Sequence, residues 1–564
     1  MISNRSPILS PMSPGRLSPR QVVLIILFGL LVLIPGTLPN VRPLTAHEVL
    51  AAQPAKEMLR DGHWIVQTFA GVPRFEKPPT MGWLIAASMS ILHSQSEWVV
   101  RLPSVISGIA AALLIAMLAA RWMGANVGTL AGLIQLSSYW VIKQANLSEA
   151  DMPLAAAVTA AFVLFALGNL EHPHGSLDRP WVRRTFMFAT GLAYLIKGPI
   201  ALLFIFAGLG LYIILRRQWS SLRFFTDLIG LAILVVLMVA LPAAVLAADP
   251  SALATWRQEL TGYATDETFG QSSTWLYFHD IPLVLLPWFG LLIVAAIETI
   301  RHRLYRLPLT QFLLCWFIPG ILVLQCAAYK SSHYAFPLLP PASLAMAAGM
   351  VWWLRRQTIR PIMPQFIAAI SIAIGAVLGV IAIRIFAPSL PSSIPAAALV
   401  CAAGFILAIL LERSGRITLE VTVIFATVAL GILITDLRIL PNMRGIWTRK
   451  EFAQRINQRL PTGQTLYLVD FVTDETVWYL NVPMQRCDDL PKFGQTPLPP
   501  DGIYALVRER TLQKLTPPYR WEELDRAAEP KPSDTKHSQS RVPVLIKLDR
   551  AATTQPQQPS PGTN

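Results

Sequence analysis

The chain has 564 residues, of which 53% are hydrophobic and 14% charged, and its mean hydropathy is +0.48. That composition excludes a soluble multidomain enzyme and describes a polytopic membrane protein. The net charge of +14 would suit a nucleic-acid partner, but much of the arginine lies in short loops between apolar runs, where membrane topology accounts for it, so no nucleic-acid partner is expected.

In chain order, a basic N-terminus precedes the first apolar run and has no clear small-x-small cleavage site after it, so that run is read as an uncleaved anchor. Windows suited to a hydrocarbon core of about 30 Å predict about thirteen spans. They lie near 22–38, 104–120, 127–142, 153–167, 185–196, 200–215 and 228–246, then 281–297, 309–328, 334–354, 362–386, 394–411 and 417–434. Lys197, Gly198 and Pro199 interrupt what would otherwise be one long run. Two spans there give cytoplasmic loops holding Arg16 and Arg20, Arg121, Arg183 and Arg184, Arg216 and Arg217, Arg301 and Arg303, Arg355 and Arg356, and Arg413 and Arg416. The positive-inside rule then sets the N-terminus in the cytoplasm and the C-terminus outside.

Three stretches are expected on the outer side. The first, 39–103, holds two helical patterns, AHEVLAAQPAKEML and PPTMGWLIAASMSIL; the second is short for a crossing and reads as an interfacial helix, with Trp83 and Trp98 at that depth. The second stretch, 249–280, is polar and aromatic. After the last span comes a small α/β domain, 441–549, with a helix at 450–460 and strands TLYLV, IYALV and VPVLI, followed by a disordered tail, 550–564. Cys315, Cys326 and Cys401 fall in predicted spans and Cys487 alone in the outer domain, which leaves no intradomain disulfide there.

On that topology the ionisable residues that loop solvation does not explain collect on the outer face: His47, Glu48, Arg74, Glu76, Lys77, Glu149, Asp151, Lys197, Lys330 and His333, with Tyr334. Ionisable groups at span ends are costly unless paired or hydrated, so their gathering suggests a shared aqueous site. Lysine and arginine suit a phosphate, and a carboxylate suits a general base. A sugar carried on a polyprenyl phosphate fits both: Lys77, Lys330 and Arg74 would stabilise the leaving phosphate, and Glu48 would take the proton of an incoming hydroxyl.

The segment KEMLRDGHWIVQTFAGVPRFEKPPTMGWLIAASMSILHSQSEWVVRLPSVISG resembles the first outer loop of the family-39 GT-C glycosyltransferases, which include the bacterial lipid A aminoarabinose transferase and the protein O-mannosyltransferases. EADMPL, LIKGP and KSSHYAFPLLP are similar to later family motifs and occur in the same order, so the resemblance covers about 20–440. It implies a mainly helical, polytopic GT-C enzyme, 1–440, that uses a polyprenyl-phosphate sugar at the outer face of the inner membrane, without nucleotide, and inverts the anomeric centre. The acceptor hydroxyl, on lipid A, another envelope glycan or a protein, stays open.

Set against the family pattern, His47 and Glu48 stand where an Asp-Glu pair is usual, Leu50 replaces a phosphate-binding arginine, Ala51 replaces a tyrosine, and Pro54 is expected to interrupt the following helix. Either Glu48 is the base, His47 stands in for the first acid and Lys77 and Lys330 carry more of the phosphate, or the site has changed substrate or lost activity. A family glutamate equivalent to Glu76 binds a metal with a histidine of a later outer loop; Glu76 with His47 or His279 is the candidate pair here for a divalent ion such as zinc, and a salt bridge from Glu76 to a neighbour is the structural alternative. Asp151 and Lys197 are read as partners that neutralise one another or as substrate contacts. His333 and Tyr334 are interfacial anchors or lipid-phosphate contacts. The rival functions are a lipid-linked sugar transporter or flippase, which would carry mid-membrane charges and broken helices in both halves, and an inactive glycolipid-binding relative.

Overall fold

The structure is a computed structural model and describes residues 14–170, 178–265, 275–327, 330–355, 393–443, 449–461, 463–469, 475–487, 502–512, 519–527 and 542–550. The chain folds as two units: Met1–Arg42, Met58–Gln67 and Arg74–Met443 form the first, and Pro43–Glu57, Thr68–Pro73 and Arg444–Asn564 the second.

Among the described residues the regular structure of the first unit is helical. Its opening helix α1 (Pro19–Leu33) begins where Ser18 accepts from the Gln21 N–H and the Gln21 side chain accepts from the Ser18 N–H, a reciprocal cap with Pro19 at the first helical position. Helix α2 (Ala46–Asp61) opens in the second unit, and α3 (Thr80–Leu92) is the short apolar helix read from the sequence, with Pro79 at its N-cap. Next come α4 (Glu97–Met123), α5 (Ala125–Leu136), α6 (Tyr139–Ala145), α7 (Asp151–Asn169), α8 (Pro180–Lys197), α9 (Pro199–Arg216), α10 (Leu228–Ala248) and α11 (Ala252–Thr265). The remainder are α12 (Leu276–Val284), α13 (Phe289–Arg301), α14 (Pro308–Cys326), a 3-10 turn at Ser332–Leu338, α15 (Pro340–Arg355), α16 (Ser393–Arg413) and α17 (Ile417–Ile434).

Packing ranks these helices. In the most apolar stretch of α7, 89% of residues are buried, against 17% in α10, so α7 is the central post and α10 lies at the rim. Around α7 the Phe162 ring stacks on Trp316 at 4.4 Å, and Phe165 meets Phe186, Phe224 and Phe312. Helices α4 and α5 approach through small residues: a Cβ on Gly128 would sit 2.5 Å from the Ala116 carbonyl oxygen.

Gly198 separates α8 from α9 with φ +73° and ψ −154°, a conformation that glycine adopts at little cost, so the interrupted run is two helices. Among the described residues seven helices are long and apolar enough to cross a membrane, or nine if each bent pair is one span. The count of thirteen is therefore not reached. The run at 127–142 is two short helices parted at Ser137 and Ser138, those at 281–297 and 334–354 are bent by 107° and 65°, and α8 fails as a plain apolar span because it carries Arg183, Arg184 and Lys197. The predicted span at 362–386 lies outside the described residues.

In the second unit, helix α18 (Lys450–Arg459) accompanies strands β3 (Leu466–Val469), β4 (Met484–Cys487), β5 (Ile503–Arg508), β6 (Tyr519–Arg526) and β7 (Pro543–Arg550). They form one sheet in the order β4-β3-β5-β7-β6, with β3 parallel to β4 and β5, and β7 antiparallel to β5 and β6. The three strands read from the sequence are the central ones, and their inward residues Val469, Ala505, Val507, Val544 and Ile546 make the core. The two missed strands, MQRC and YRWEELDR, are the edges, where polar and charged side chains discourage further pairing but erase the apolar alternation that reveals a strand. The expected tail falls outside the described residues.

The first outer loop contributes to this unit. A two-residue turn at Ala70 and Gly71, φ 52° and 80°, joins β1 (Thr68–Phe69) to β2 (Val72–Pro73), and the Arg486 N–H of edge strand β4 donates to the Ala70 carbonyl at 3.1 Å. The buried Glu57 carboxylate holds the turn, accepting from the Thr68 hydroxyl at 2.6 Å, the Ala70 N–H at 2.8 Å, the Gly71 N–H at 3.4 Å and the Gln53 amide at 2.7 Å. These bonds offset the strain of a left-handed alanine. Glu57→Ala should strand at least two buried donors, each worth about 1–3 kcal/mol, and so lower the stability of this unit by ~3 kcal/mol in denaturant unfolding of the purified protein. An unchanged midpoint would show that the turn holds without Glu57.

Helix α2 also corrects an expectation. It runs from Ala46 to Asp61 with Pro54 inside it, so the proline does not interrupt the helix. An interior proline costs about 3 kcal/mol in an isolated helix. Here buried Val49, Ala52, Ala55 and Met58 fasten the helix by tertiary packing, which outweighs the local penalty.

Candidate functional site

The loop ahead of α3 is pinned along its length. The Arg74 N–H donates to the Gln67 carbonyl at 2.8 Å, the Gln67 amide donates back to the Lys77 carbonyl at 2.7 Å, and the Trp256 indole of α11 donates to the Phe75 carbonyl at 3.0 Å. The Thr80 hydroxyl then ties the start of α3 to the Leu195 carbonyl near the end of α8 at 2.6 Å. On this frame the Arg74 guanidinium lies 3.5 Å from Glu76, and the Lys77 ammonium lies 3.8 Å from Glu259 of α11. Lys77 is 48% exposed, so it is open to an incoming anion, with Glu259 as its resting partner.

A second assembly joins the three later motifs. Asp151 opens α7, Lys197 closes α8, and the two form an ion pair, which places an acid at a helix N-terminus and a base at a C-terminus, each favoured by the helix dipole. The Lys197 ammonium also lies over the Tyr334 ring, 4.8 Å from its centroid. His333 packs edge-on to Tyr334 at 4.6 Å and shares a 2.8 Å hydrogen bond with the Ser331 hydroxyl. The Ser332 hydroxyl donates to Asp280, His279 sits 2.6 Å from that same carboxylate, and the Tyr277 hydroxyl donates to the Ser331 carbonyl at 3.3 Å. Lys330 donates to the Ala327 carbonyl at 2.7 Å. Glu149 accepts from the Gln144 amide at 2.8 Å.

So EADMPL, LIKGP and KSSHYAFPLLP, far apart in the chain, meet at Asp151, Lys197 and Tyr334 in the first unit. The mutual neutralisation read for Asp151 and Lys197 is present in the structure. Sequence reading missed Asp280, Tyr277 and Glu259 as neighbours of these residues; the only signal was their place in the polar stretch 249–280.

His47 and Glu48 belong to the second unit. His47 is exposed on the first turn of α2, whereas Glu48 is buried and closes a capping box, accepting from the Thr45 N–H at 2.9 Å while its own N–H donates to the Thr45 hydroxyl at 3.3 Å. The spacing Thr-x-x-Glu would have revealed this second role of Glu48 from sequence.

The donor set for a metal at Glu76 does not fit. Glu76 sits against Arg74, as the salt-bridge alternative expects, His279 is engaged with Asp280, and no group of three or more His, Cys, Asp or Glu is positioned for a metal among the described residues.

The fold is that of the GT-C membrane glycosyltransferases: ArnT from Cupriavidus metallidurans bound to undecaprenyl phosphate superposes with a TM-score of 0.77 at 22% identity, over 94% of this chain and 98% of that one. Its apo form gives 0.74 at 23% identity, over 93% and 97%. Residues 76–245 match the family pattern described as dolichyl-phosphate-mannose-protein mannosyltransferase. The undecaprenyl phosphate-alpha-4-amino-4-deoxy-L-arabinose arabinosyl transferase 2 of Proteus mirabilis is 29% identical over 346 residues, 60% of this chain and 61% of that protein. The corresponding transferase of Yersinia pestis is 30% identical over 307 residues, 53% and 54% respectively. The chain thus has the fold of ArnT and is similar, over part of its length, to the aminoarabinose transferases and to the protein-mannosyltransferase family pattern, as its motifs imply. The matched region spans about three-fifths of the length of the first of these curated relatives.

Proposed function

We propose that the protein is an integral membrane glycosyltransferase that moves a sugar from a polyprenyl-phosphate carrier to a hydroxyl acceptor, with inversion. The observation that carries this reading is the meeting of Asp151, Lys197 and Tyr334, which draws three family-like motifs into one polar assembly at the helix ends of an otherwise apolar unit. The named relatives act with undecaprenyl phosphate-linked 4-amino-4-deoxy-L-arabinose, which makes that donor the first to test. Lipid A, another envelope glycan and protein hydroxyls are the acceptors to test beside it.

In this reading Glu48 removes the acceptor's hydroxyl proton, helped by His47, and the oxygen bonds the anomeric carbon from the face opposite the phosphate. The bond from that carbon to the phosphate oxygen breaks, and its electron pair leaves on the phosphate, which Lys77, Lys330 and Arg74 stabilise. His333, Tyr334, Asp151 and Lys197 hold the donor headgroup. The chain sits in the inner membrane as a multi-pass protein, N-terminus in the cytoplasm and second unit in the periplasm, on the strength of its arginine loops.

Transfer assays of purified protein with a panel of polyprenyl-phosphate sugars and envelope acceptors test the proposal, and binding without turnover for every donor would overturn it. Lys77→Met should weaken donor binding by about tenfold, the lower end for a charge-assisted contact because the side chain is half exposed. Isothermal titration with the donor measures this, and unchanged affinity would remove Lys77 from the phosphate contact.

A further inference from the structure

A groove in the first unit is lined by α13, α15, α16, α17 and the bend before α13. Its walls are apolar, with Trp288, Leu291, Trp353, Phe405, Ile424 and Val428 among them, and two carboxylates, Glu412 and Glu420, lie in the same lining. Glu412 is at the end of α16 and Glu420 in the first turn of α17, so both acids mark one end of the groove, at the turn between these helices. Along α17 the lining residues Glu420, Ile424 and Val428 share one helix face, and the eight steps from first to last span roughly 12 Å.

Glu420 is 1% exposed, and its Oε2 has no hydrogen-bond partner among the described residues. A buried carboxylate oxygen without a donor is costly, and costlier still within an apolar span. The groove therefore has the shape and polarity of an amphiphile in negative: an acidic head end with an apolar channel behind it. A phosphate head would bring like charge to the two acids, and a hydroxyl would donate a single hydrogen bond. A primary ammonium would, since it donates three hydrogen bonds and carries the complementary charge. Arg413 and Arg416, exposed at the same turn, suit the phosphate of such a lipid.

We propose that this groove is a binding site for an aminophospholipid, whose ammonium group donates to Glu420 and Glu412 and whose acyl chain lies along Ile424, Val428, Trp288 and Leu291. The site is separate from sugar transfer and stands whether or not the proposed activity is found. Native mass spectrometry of the delipidated full-length protein, exchanged into micelles with equimolar phosphatidylethanolamine, phosphatidylcholine and phosphatidylglycerol, tests it. Wild type should retain phosphatidylethanolamine about tenfold over the other two, corresponding to 1.4 kcal/mol. Glu420→Gln, nearly isosteric, should abolish that preference, and Val428→Trp, which fills the channel but leaves both acids, should reduce retention while gel filtration remains monodisperse. Equal retention of the three lipids by wild type would overturn the proposal, as would a preference that survives in the Glu412→Gln and Glu420→Gln double variant.

Discussion

Glu48→Gln is expected to lower turnover by about 10²–10⁴-fold while leaving donor affinity near that of wild type, the range for loss of a positioned general base. The substitution is chosen because of the capping box. Glutamine can accept from the Thr45 N–H as glutamate does, so the start of α2 should survive and the loss of rate can be assigned to proton transfer. Glu48→Ala removes both functions and should additionally cost ~1 kcal/mol of stability. Single-turnover transfer rates, read beside thermal unfolding of the same preparations, separate the two effects. Transfer at the wild-type rate by Glu48→Gln would show that Glu48 is a cap and not a base. A normal melting temperature without turnover in the wild type, for every donor, would favour the inactive glycolipid-binding relative.

Asp151→Asn is expected to destabilise the protein by about 3 kcal/mol, because Asp151 is 4% exposed and its loss leaves the Lys197 ammonium, among the described residues, with only the Tyr334 ring. The figure is at the low end for a broken buried pair, since the Lys197 side chain keeps 17% of its exposure. Removing both charges in Asp151→Asn with Lys197→Met should restore most of that stability, for a neutral pair no longer leaves a buried charge unmatched. Activity in the double variant then decides the role of the pair. Recovered transfer means that the charges hold α7 to α8; stable protein without transfer means that they touch the donor. Thermal unfolding in detergent and donor KM are the two measurements, and unchanged stability in the single variant would contradict the buried pair.

These two cases show how much of the protein is written in the local sequence. Helix α3 could be read within a residue, because two prolines, an apolar run and His93 beyond it act over short distances. The central strands β3, β5 and β7 were legible from their apolar runs, whereas β4 and β6, made of charged and polar residues, owe their state to pairing along an edge. Pro54 misled for the same reason in reverse: its local penalty is real, and packing around Val49 and Ala55 overrides it. Among the described residues the span count differs from expectation where the signal is an average over a window, which cannot distinguish a straight crossing from the 107° bend before α13.

By itself the sequence determined that this is a membrane protein, where most of its helices lie, which chemistry its ionisable residues suit and which family its motifs resemble, because hydropathy, turn residues and charge are properties of short stretches. Only the tertiary structure decided which of those residues meet. It joined Asp151 to Lys197 and Tyr334, set Glu259 beside Lys77, gave Glu48 a cap to close, and drew the turn at Ala70 into the second unit. Each of those contacts, apart from the local cap, links positions distant in the chain. Such partners are chosen by packing and by the cost of leaving a buried charge or N–H unmatched, and no local pattern records that choice.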